Sequence, residues 1–403
     1  MIIVYEPTWT GTTHAPGNSA TIQVLARAYP EQHVRVLADP AHLVELQADP
    51  ALTGLANISF APTSLSPLFP GRPQIVSARR FWREFRVLRR AQRAAPRGEN
   101  VLLFLISTTA TSLFAASLLV RLGRGRTGAM IGWHGNLNDG LGWRPRNPLA
   151  RAMDFRAGLL ARHPAQFRHL VLEHGIKDAL AVLLPTAAER TDVLPLPINV
   201  AEVPAEAAQT LGTPIHIGLV GQATAAKGID FFLDAAGAAK ALYGDNVEFT
   251  LVGRAMPGRD LSAFSVLAHP VETEHLSRAA FTARLAKLHY VFLPLDAAYY
   301  GLSASGALID AITWLKPVIA NRVPIVDGMF RQYGDIGHVA ESREAMAGLL
   351  EQIVGAPDPV RYEAQVAALR AARATRMPAA LAATFQAIMR NKMPGLLPDT
   401  SLH

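Results

Sequence analysis

The chain has 403 residues, half of them hydrophobic and 18% charged, which is more than one typical core accommodates and predicts two domains of a globular protein. Lys and Arg outnumber Asp and Glu by 39 to 32, a net charge of +7 that favours anionic partners. No cysteine is present, which excludes disulfides and thiolate zinc sites and fits a reducing, cytoplasmic compartment.

The N-terminal MIIVYEPTW has no basic stretch ahead of a long apolar run, so no secretory signal is read. Ile2–Tyr5 is an apolar strand. The loop Thr10-Gly11-Thr12-Thr13-His14-Ala15-Pro16-Gly17-Asn18 follows, then a helix over Ser19–Ala28. Strand, loop and helix in this order open a Rossmann-like sheet. Further strands are predicted at Val34–Leu37 and Asn57–Phe60, with a helix starting at Asp39-Pro40 between them.

A helix over Ala78–Ala95 carries Arg79, Arg80, Arg83, Arg86, Arg89, Arg90 and Arg93 beside Phe81, Trp82, Phe85 and Leu88. A basic amphipathic helix suits an anionic membrane surface. A core-packed helix with a solvated outer face accounts for the same pattern. No recognised nucleic-acid motif accompanies the arginines, so nucleic acid is not expected as a partner. Val101–Val120 has no charge over twenty residues, enough to span a bilayer. Its hydroxyl-rich middle instead predicts a strand, Val101–Ile106, a loop, and a helix, Ser112–Val120.

Gly123-Arg124-Gly125-Arg126-Thr127-Gly128 matches G-x-G-x-x-G, but it follows a helix and precedes a strand, Ala129–Trp133. The dinucleotide fingerprint needs the opposite order, so these glycines are read as a helix end. The strand delivers Trp133-His134-Gly135-Asn136-Leu137-Asn138-Asp139-Gly140 to its carboxyl end, where open α/β sheets bind ligands. His134 is a candidate acid, base or hydrogen-bond donor; a structural loop histidine is the alternative. A helix over Pro148–Arg162 and strands at His169–Leu172 and Val193–Leu196 complete the first half.

Pro195, Pro197, Pro204 and Pro214 frame a small-residue stretch, Asn199–Thr213, that reads as an interdomain linker. The domains expected are 1–199, a linker over 200–214, a second domain over 215–376, and a C-terminal helix and tail over 377–403 returning towards the first. Two α/β halves joined in this way imply a cleft between them. The second half has a strand, Ile215–Val220, the loop Gly221–Gly228, a helix, Ile229–Tyr243, a strand, Phe249–Val252, ending in Gly253-Arg254, and a helix, Thr273–Leu288. A strand, Tyr290–Leu295, then enters the turn Gly301-Leu302-Ser303-Ala304-Ser305-Gly306, a helix over Ala307–Leu315, and a strand, Pro317–Ala320. A small-residue turn at a helix N-terminus lets a phosphate approach free N–H groups. An ordinary βα loop of small residues is the other reading. Helices at Arg361–Arg373 and Pro378–Met389 precede a loose tail, Pro394–His403. No D-x-D, H-E-x-x-H or clustered ligand pattern is present, so no metal site is expected.

Two segments together resemble the retaining GT-B glycosyltransferases of family 4. Gly218–Ala236 is similar to their strand, the motif G-R-x-x-x-x-K-G and the apolar helix after it; Val291–Asn321 is similar to their donor motif, E-x-F-G followed by a helix with a second Glu and G-x-P-V-I-A. Val252–Ala255 sits where the family has a V-G strand end. The resemblance implies an α/β fold of two Rossmann-like domains facing each other across a cleft. It implies a donor site made of Gly221, Gln222, Lys227, Arg254, Ser303, Ala304, Ser305, Gly306, Ala307 and Asp310. Lys227 would hold the donor diphosphate, Asp310 the ribose, and His134 would act with Lys227 in catalysis. Gly11, Thr12, His14, Asn136 and Asn138 would lie on the acceptor side.

The implied activity is metal-independent, retaining transfer of a hexosyl group from a UDP- or GDP-linked sugar, which is a substrate and not a cofactor. The acceptor would be a glycan or a polyprenyl-linked glycan of bacterial surface polysaccharide synthesis. The helix spanning Arg79–Arg93 would touch the inner face of the cytoplasmic membrane. The chain departs from the pattern at Gln222, where the family has Arg, and at the first Glu, for which Asp296 is the nearest carboxylate. A nucleotide-sugar epimerase or phosphorylase on the same architecture, or a non-catalytic nucleotide-binding scaffold, are the alternatives.

Overall fold

A computed structural model of the chain describes residues 1–64, 72–135, 137–205 and 209–398. It divides into two compact units, Met1–Ala201 with Arg376–His403, and Glu202–Thr375.

The first unit is built on seven parallel strands, β1 (Ile2–Tyr5), β2 (Val34–Ala38), β3 (Ile58–Pro62), β4 (Val101–Leu105), β5 (Thr127–Trp133), β6 (Phe167–Val171) and β7 (Thr191–Val193), in the order β3-β2-β1-β4-β5-β6-β7. β1, β4 and β5 are buried at every position. This is why they read as continuous apolar runs rather than alternating ones: helices cover both faces of a parallel sheet. The second unit has five parallel strands, β8 (Ile215–Ala223), β9 (Val247–Ala255), β10 (Tyr290–Leu293), β11 (Val318–Asn321) and β12 (Gly337–Ala340), in the order β12-β11-β10-β8-β9.

The uncharged run after Val101 splits into β4 and the helix Ala110–Leu122. Thr109 starts that helix with a capping box: its hydroxyl accepts the Ser112 N–H, and the Ser112 hydroxyl accepts its own N–H, both at 2.9 Å. Among the described residues no helix is long and apolar enough to cross a membrane. Gly123 closes the helix, and Gly125, at φ +86°, turns the chain into β5.

Several expected boundaries differ. The helix expected from Ser19 starts at Ala15, because Pro16 fits the first turn of a helix. The helix expected over Pro148–Arg162 is two short ones, Pro148–Arg151 and Phe155–Leu160; Asp154 interrupts it and accepts the Ala157 N–H at 2.7 Å to start the second. The helix expected over Thr273–Leu288 is only Arg278–Ala286, capped by Ser277, whose hydroxyl accepts the Ala280 N–H at 3.2 Å. β7 ends before Pro195 and Pro197, which have no N–H for a ladder. β8 runs three residues past Val220, because Gly221, Gln222 and Ala223 pair with Gly253, Arg254 and Ala255 of β9.

The helix Pro378–Lys392 lies in the first unit's core with Leu381, Phe385 and Met389. Phe385 meets the rings of Tyr29 and Phe104 edge-on. The tail is not loose as far as Pro398: Leu396 and Leu397 are buried in the same core. At the start of this returning segment Arg376 is fully buried and gives two hydrogen bonds to the Glu173 carboxylate, at 2.8 and 2.6 Å. A charge pair this deep holds its geometry because each partner, left alone, would be an uncompensated buried ion.

Candidate functional site

Each sheet reverses its strand order at one point. In the second unit the chain leaves β8 for β9 on one side and returns to β10 on the other. The loops after β8 and β10 leave the carboxyl ends of these strands at that reversal, the place where open α/β sheets bind ligands.

The loop after β8 is shaped around Lys227. Gly221 has φ +95°, and a Cβ there would lie 2.2 Å from the Lys227 Nζ, so only glycine lets the amino group rest over the backbone. Nζ donates to the Val220 carbonyl at 2.7 Å. Thr224 holds the turn by accepting the Lys227 N–H at 3.3 Å. Gly228, at φ +67°, allows the loop to close on the Pro294 carbonyl, which a Cβ would meet at 2.3 Å. The Asp296 N–H donates to the Ala226 carbonyl at 2.9 Å, so the loops after β8 and β10 are joined.

The loop after β10 contains a short helix, Ala297–Tyr300, and the turn into the helix Gly306–Thr313. Ser303 and Ser305 are buried, Ala304 is half-buried and Gly306 is exposed. Ser305 caps the helix by accepting the Leu308 N–H at 3.3 Å. Ala307 is buried in its first turn, and Asp310, half-buried, lies about one turn further along. Burial lowers the Lys227 pKa to about 8, against the pull of Asp310. Burial raises Asp310 to about 6, opposed by Arg278 and Lys227. These two groups feel each other's charge, so the loop lysine and the helix carboxylate belong to one electrostatic site. Gln222 is exposed on β8 and stands in register with Arg254 of β9, whose Nε is buried without a hydrogen-bond partner. Asp296 accepts the Tyr299 N–H at 2.9 Å and so caps Ala297–Tyr300.

In the first unit the reversal lies between β1 and β4. β1 delivers Glu6, β4 delivers Ser107 and β5 delivers His134. Glu6 is buried and accepts four hydrogen bonds: from the N–H groups of Thr8 (2.7 Å) and Trp9 (3.1 Å), from the Asn18 amide (3.2 Å) and from the Ser107 hydroxyl. Burial outweighs these donors and raises its pKa to about 7. The Asn18 amide nitrogen also lies 3.0 Å from Nε2 of His42, and Nδ1 of His42 lies 2.7 Å from the Gly11 carbonyl. A carbonyl can only accept, so His42 carries its proton on Nδ1 and accepts from Asn18 at Nε2.

His14 is left-handed, at φ 59°, and begins the helix Ala15–Ala28. Its ring lies 4.3 Å from Trp9 and meets His134 edge-on at 4.5 Å. His134 is buried, and burial with the nearby His14 holds it well below the usual imidazole range, so it is neutral at pH 7. His14 and His134 are thus brought together, and Gly11 is held by His42. Thr12 is exposed at the start of the turn, and Asn138 is half-buried on the helix Leu137–Gly142. Asn136 lies outside the described residues. Glu6, His42 and Ser107 were not singled out in the sequence, whereas Asn18 closes the loop that was. The one local signal was a carboxylate directly after the first strand.

No protein-family model matches the chain, and no curated protein matches it. Solved structures do. A trehalose-6-phosphate protein from E. coli bound with UDP-2-fluoro glucose is similar at TM-score 0.62 and 11% identity, over 99% of this chain and 100% of that one. A glycosyltransferase from Rickettsia africae is similar at TM-score 0.64 and 11% identity, over 98% and 99%. An α,α-trehalose-phosphate synthase (UDP-forming) from Burkholderia vietnamiensis is similar at TM-score 0.61 and 11% identity, over 97% and 99%. At this identity the likeness is one of fold, and the chain has the α/β, GT-B fold of two Rossmann-like units.

Proposed function

We propose that the chain is a retaining, metal-independent glycosyltransferase related to family 4. It takes a hexosyl group from a UDP- or GDP-linked sugar and gives it to a glycan or polyprenyl-linked acceptor of bacterial surface polysaccharide. The observation that carries this reading is the Lys227 amino group, set in a glycine cradle at the β8–β10 reversal and coupled to Asp310. The UDP-sugar in the E. coli neighbour and the UDP-forming activity named for the Burkholderia neighbour support such a donor.

In this reading the bond between the sugar's anomeric carbon and the diphosphate oxygen breaks, and its electron pair leaves with the diphosphate. Lys227 and the N–H groups at the start of Gly306–Thr313 stabilise that charge. Gly221, Gln222, Arg254 and the residues Ser303–Ala307 line the donor, and Asp310 holds the ribose. The acceptor hydroxyl bonds to the same face of the anomeric carbon, and its proton passes to the departing oxygen. Neutral His134 orients a sugar hydroxyl, and Gly11, Thr12, His14 and Asn138 form the acceptor side, to which the resemblance alone adds Asn136. The helix Ala78–Arg93, basic and aromatic, supports work at the inner face of the cytoplasmic membrane.

A scaffold that binds nucleotide without turnover is the second reading. The exposed Gln222 in place of a cation and the use of Asp296 as a helix cap favour it. Nucleotide release is measured from UDP- and GDP-sugars with and without acceptor extracts. Release that depends on acceptor is expected. Binding without turnover under every acceptor would leave the scaffold standing, and an altered sugar in the absence of acceptor would point to an epimerase.

A further inference from the structure

The helix Ala78–Arg93 has three distinct faces. Arg80, Glu84, Leu88 and Ala91 are buried. Arg80 donates to Glu84 at 3.2 Å and to the Arg72 carbonyl at 2.8 Å, and Glu84 accepts the hydroxyls of Thr109 and Thr111. This inward charge pair fixes the rotation of the helix against the start of Ala110–Leu122. It uses the helix's sole carboxylate on the core side. The second face carries Phe81, Trp82 and Phe85, whose rings meet at 5.3 to 6.1 Å, with Trp82 half exposed.

The third face carries Arg79, Arg83, Arg86 and Arg90, spaced four, three and four residues apart and so aligned in one stripe. These four arginines line a cavity of about 670 Å³. Arg35 of β2 and residues 61–64 at the end of β3 line it as well, and among the described residues no carboxylate does. Arg83 donates to the Ser64 carbonyl at 3.0 Å. Among the described residues the side chains of Arg35, Arg79, Arg86 and Arg90 have no hydrogen bond or ion pair. Five guanidinium groups around one concavity repel one another, whereas a merely solvated helix face intersperses both signs. An anion with several acceptor oxygens reverses that repulsion. The guanidinium fork matches phosphate in charge and in donor geometry.

We propose that this groove binds a phosphate-bearing ligand with at least two negative charges, a diphosphate being the smallest, through Arg35, Arg79, Arg83, Arg86 and Arg90. The site lies wholly in the first unit and shares no residue with that of Lys227, so it stands or falls apart from the glycosyltransferase reading.

The test titrates inorganic pyrophosphate into the full chain, the exposed pair variant Arg86→Gln/Arg90→Gln, and Lys227→Ala. The arginine pair is expected to weaken pyrophosphate binding about tenfold, with steep salt dependence in the unsubstituted protein, while Lys227→Ala retains this binding. Unchanged thermal melts confirm that the pair variant is folded, and Arg79→Gln/Arg90→Gln must reproduce the loss. Cosedimentation with phosphatidylcholine vesicles, with and without phosphatidylglycerol, tells the two sources of phosphate apart. Loss of phosphatidylglycerol-dependent binding in the arginine variant assigns a lipid headgroup. Loss confined to pyrophosphate assigns a soluble phosphate. Pyrophosphate binding that is absent, or that Lys227→Ala removes and the arginine variants leave intact, overturns the groove as a phosphate site. That last result would leave the donor reading untouched.

Discussion

The two sheets answer the same topological situation with opposite chemistry. After β8 the second unit places glycines, small side chains, backbone N–H groups and one ammonium, with Lys227 and Asp310 coupled across the site. After β1 the first unit places a buried carboxylate, an amide, a hydroxyl and one imidazole, that of His42, joined by hydrogen bonds. The first arrangement suits a charged diphosphate, which needs a cation and close backbone approach. The second suits uncharged hydroxyl groups, which need fixed donors and acceptors. The contrast follows from how each region handles desolvation: one buries an ammonium with a single carbonyl partner, the other surrounds a buried carboxylate with four fixed donors.

The largest effect expected of a single substitution is at Lys227. Lys227→Ala should lower acceptor-dependent nucleotide release by roughly 100- to 1,000-fold, the range found when one donor to a developing anion is removed. Steady-state release assays check it, and near-normal turnover would remove Lys227 from the diphosphate site. Since Lys227 titrates near 8 and must be charged to hold an anion, nucleotide affinity should fall as pH rises through that value. An affinity that stays flat from pH 7 to 9 contradicts the charge role.

The comparison sharpens on two glycines. At Gly221 a Cβ would fall 2.2 Å from the Lys227 Nζ, on a backbone at φ +95°. Gly221→Ala should displace the lysine, weaken nucleotide binding roughly tenfold and cost about 1–3 kcal/mol of stability. At Gly17, in the first unit, a Cβ would sit 3.7 Å from His134, in ordinary contact, within the helix Ala15–Ala28. Gly17→Ala should therefore leave the fold intact or stabilise it by about 0.5 kcal/mol. Urea melts of both variants decide it. Equal losses would mean that the cradle around Lys227 is no tighter than the packing at His134.

The first unit's buried carboxylate has its own signature. The folded-state pKa of Glu6 is raised from 4.5 to about 7, so the native state keeps a proton that the unfolded chain has lost. Stability from this group is full below about pH 4.5 and is lost as pH rises through about 7, amounting to about 3 kcal/mol at most. Glu6→Gln should remove that part of the pH dependence. Stability measured at pH 5 and pH 8 should then differ less in the variant than in the parent. The same difference in both proteins would assign the pH dependence elsewhere.

The two regions also differ in how far the sequence exposes them. Gly221–Gly228 lies within eight residues, its following helix was expected at the observed bounds, and the serine turn before Asp310 is equally local. Small residues next to a strand end are a chemical statement that short spacing can carry. Glu6 and Ser107 stand 101 positions apart, Asn18 and His42 24 apart, and Glu173 and Arg376 203 apart. Only strand order brings these together, and no periodicity encodes strand order. The same holds for the extra length of β8. Gly221-Gln222-Ala223 looks like loop until Gly253 is placed beside it, where a Cβ would collide with the Gly221 carbonyl at 1.8 Å.

The smallest effect tests the one acidic residue on the donor side that the resemblance left open. Asp296 accepts the Tyr299 N–H and begins Ala297–Tyr300, a role that asparagine fills almost equally well. Asp296→Asn should leave stability unchanged, whereas Asp296→Ala should cost about 1 kcal/mol through the lost cap. If the carboxylate serves only as a cap, the Asn variant also keeps its preference among UDP- and GDP-sugars in competition assays. A shift in sugar preference in Asp296→Asn, with its melting temperature intact, would show that the charge itself meets the donor. The second unit would then read its sugar with an acid as well as its diphosphate with a cation.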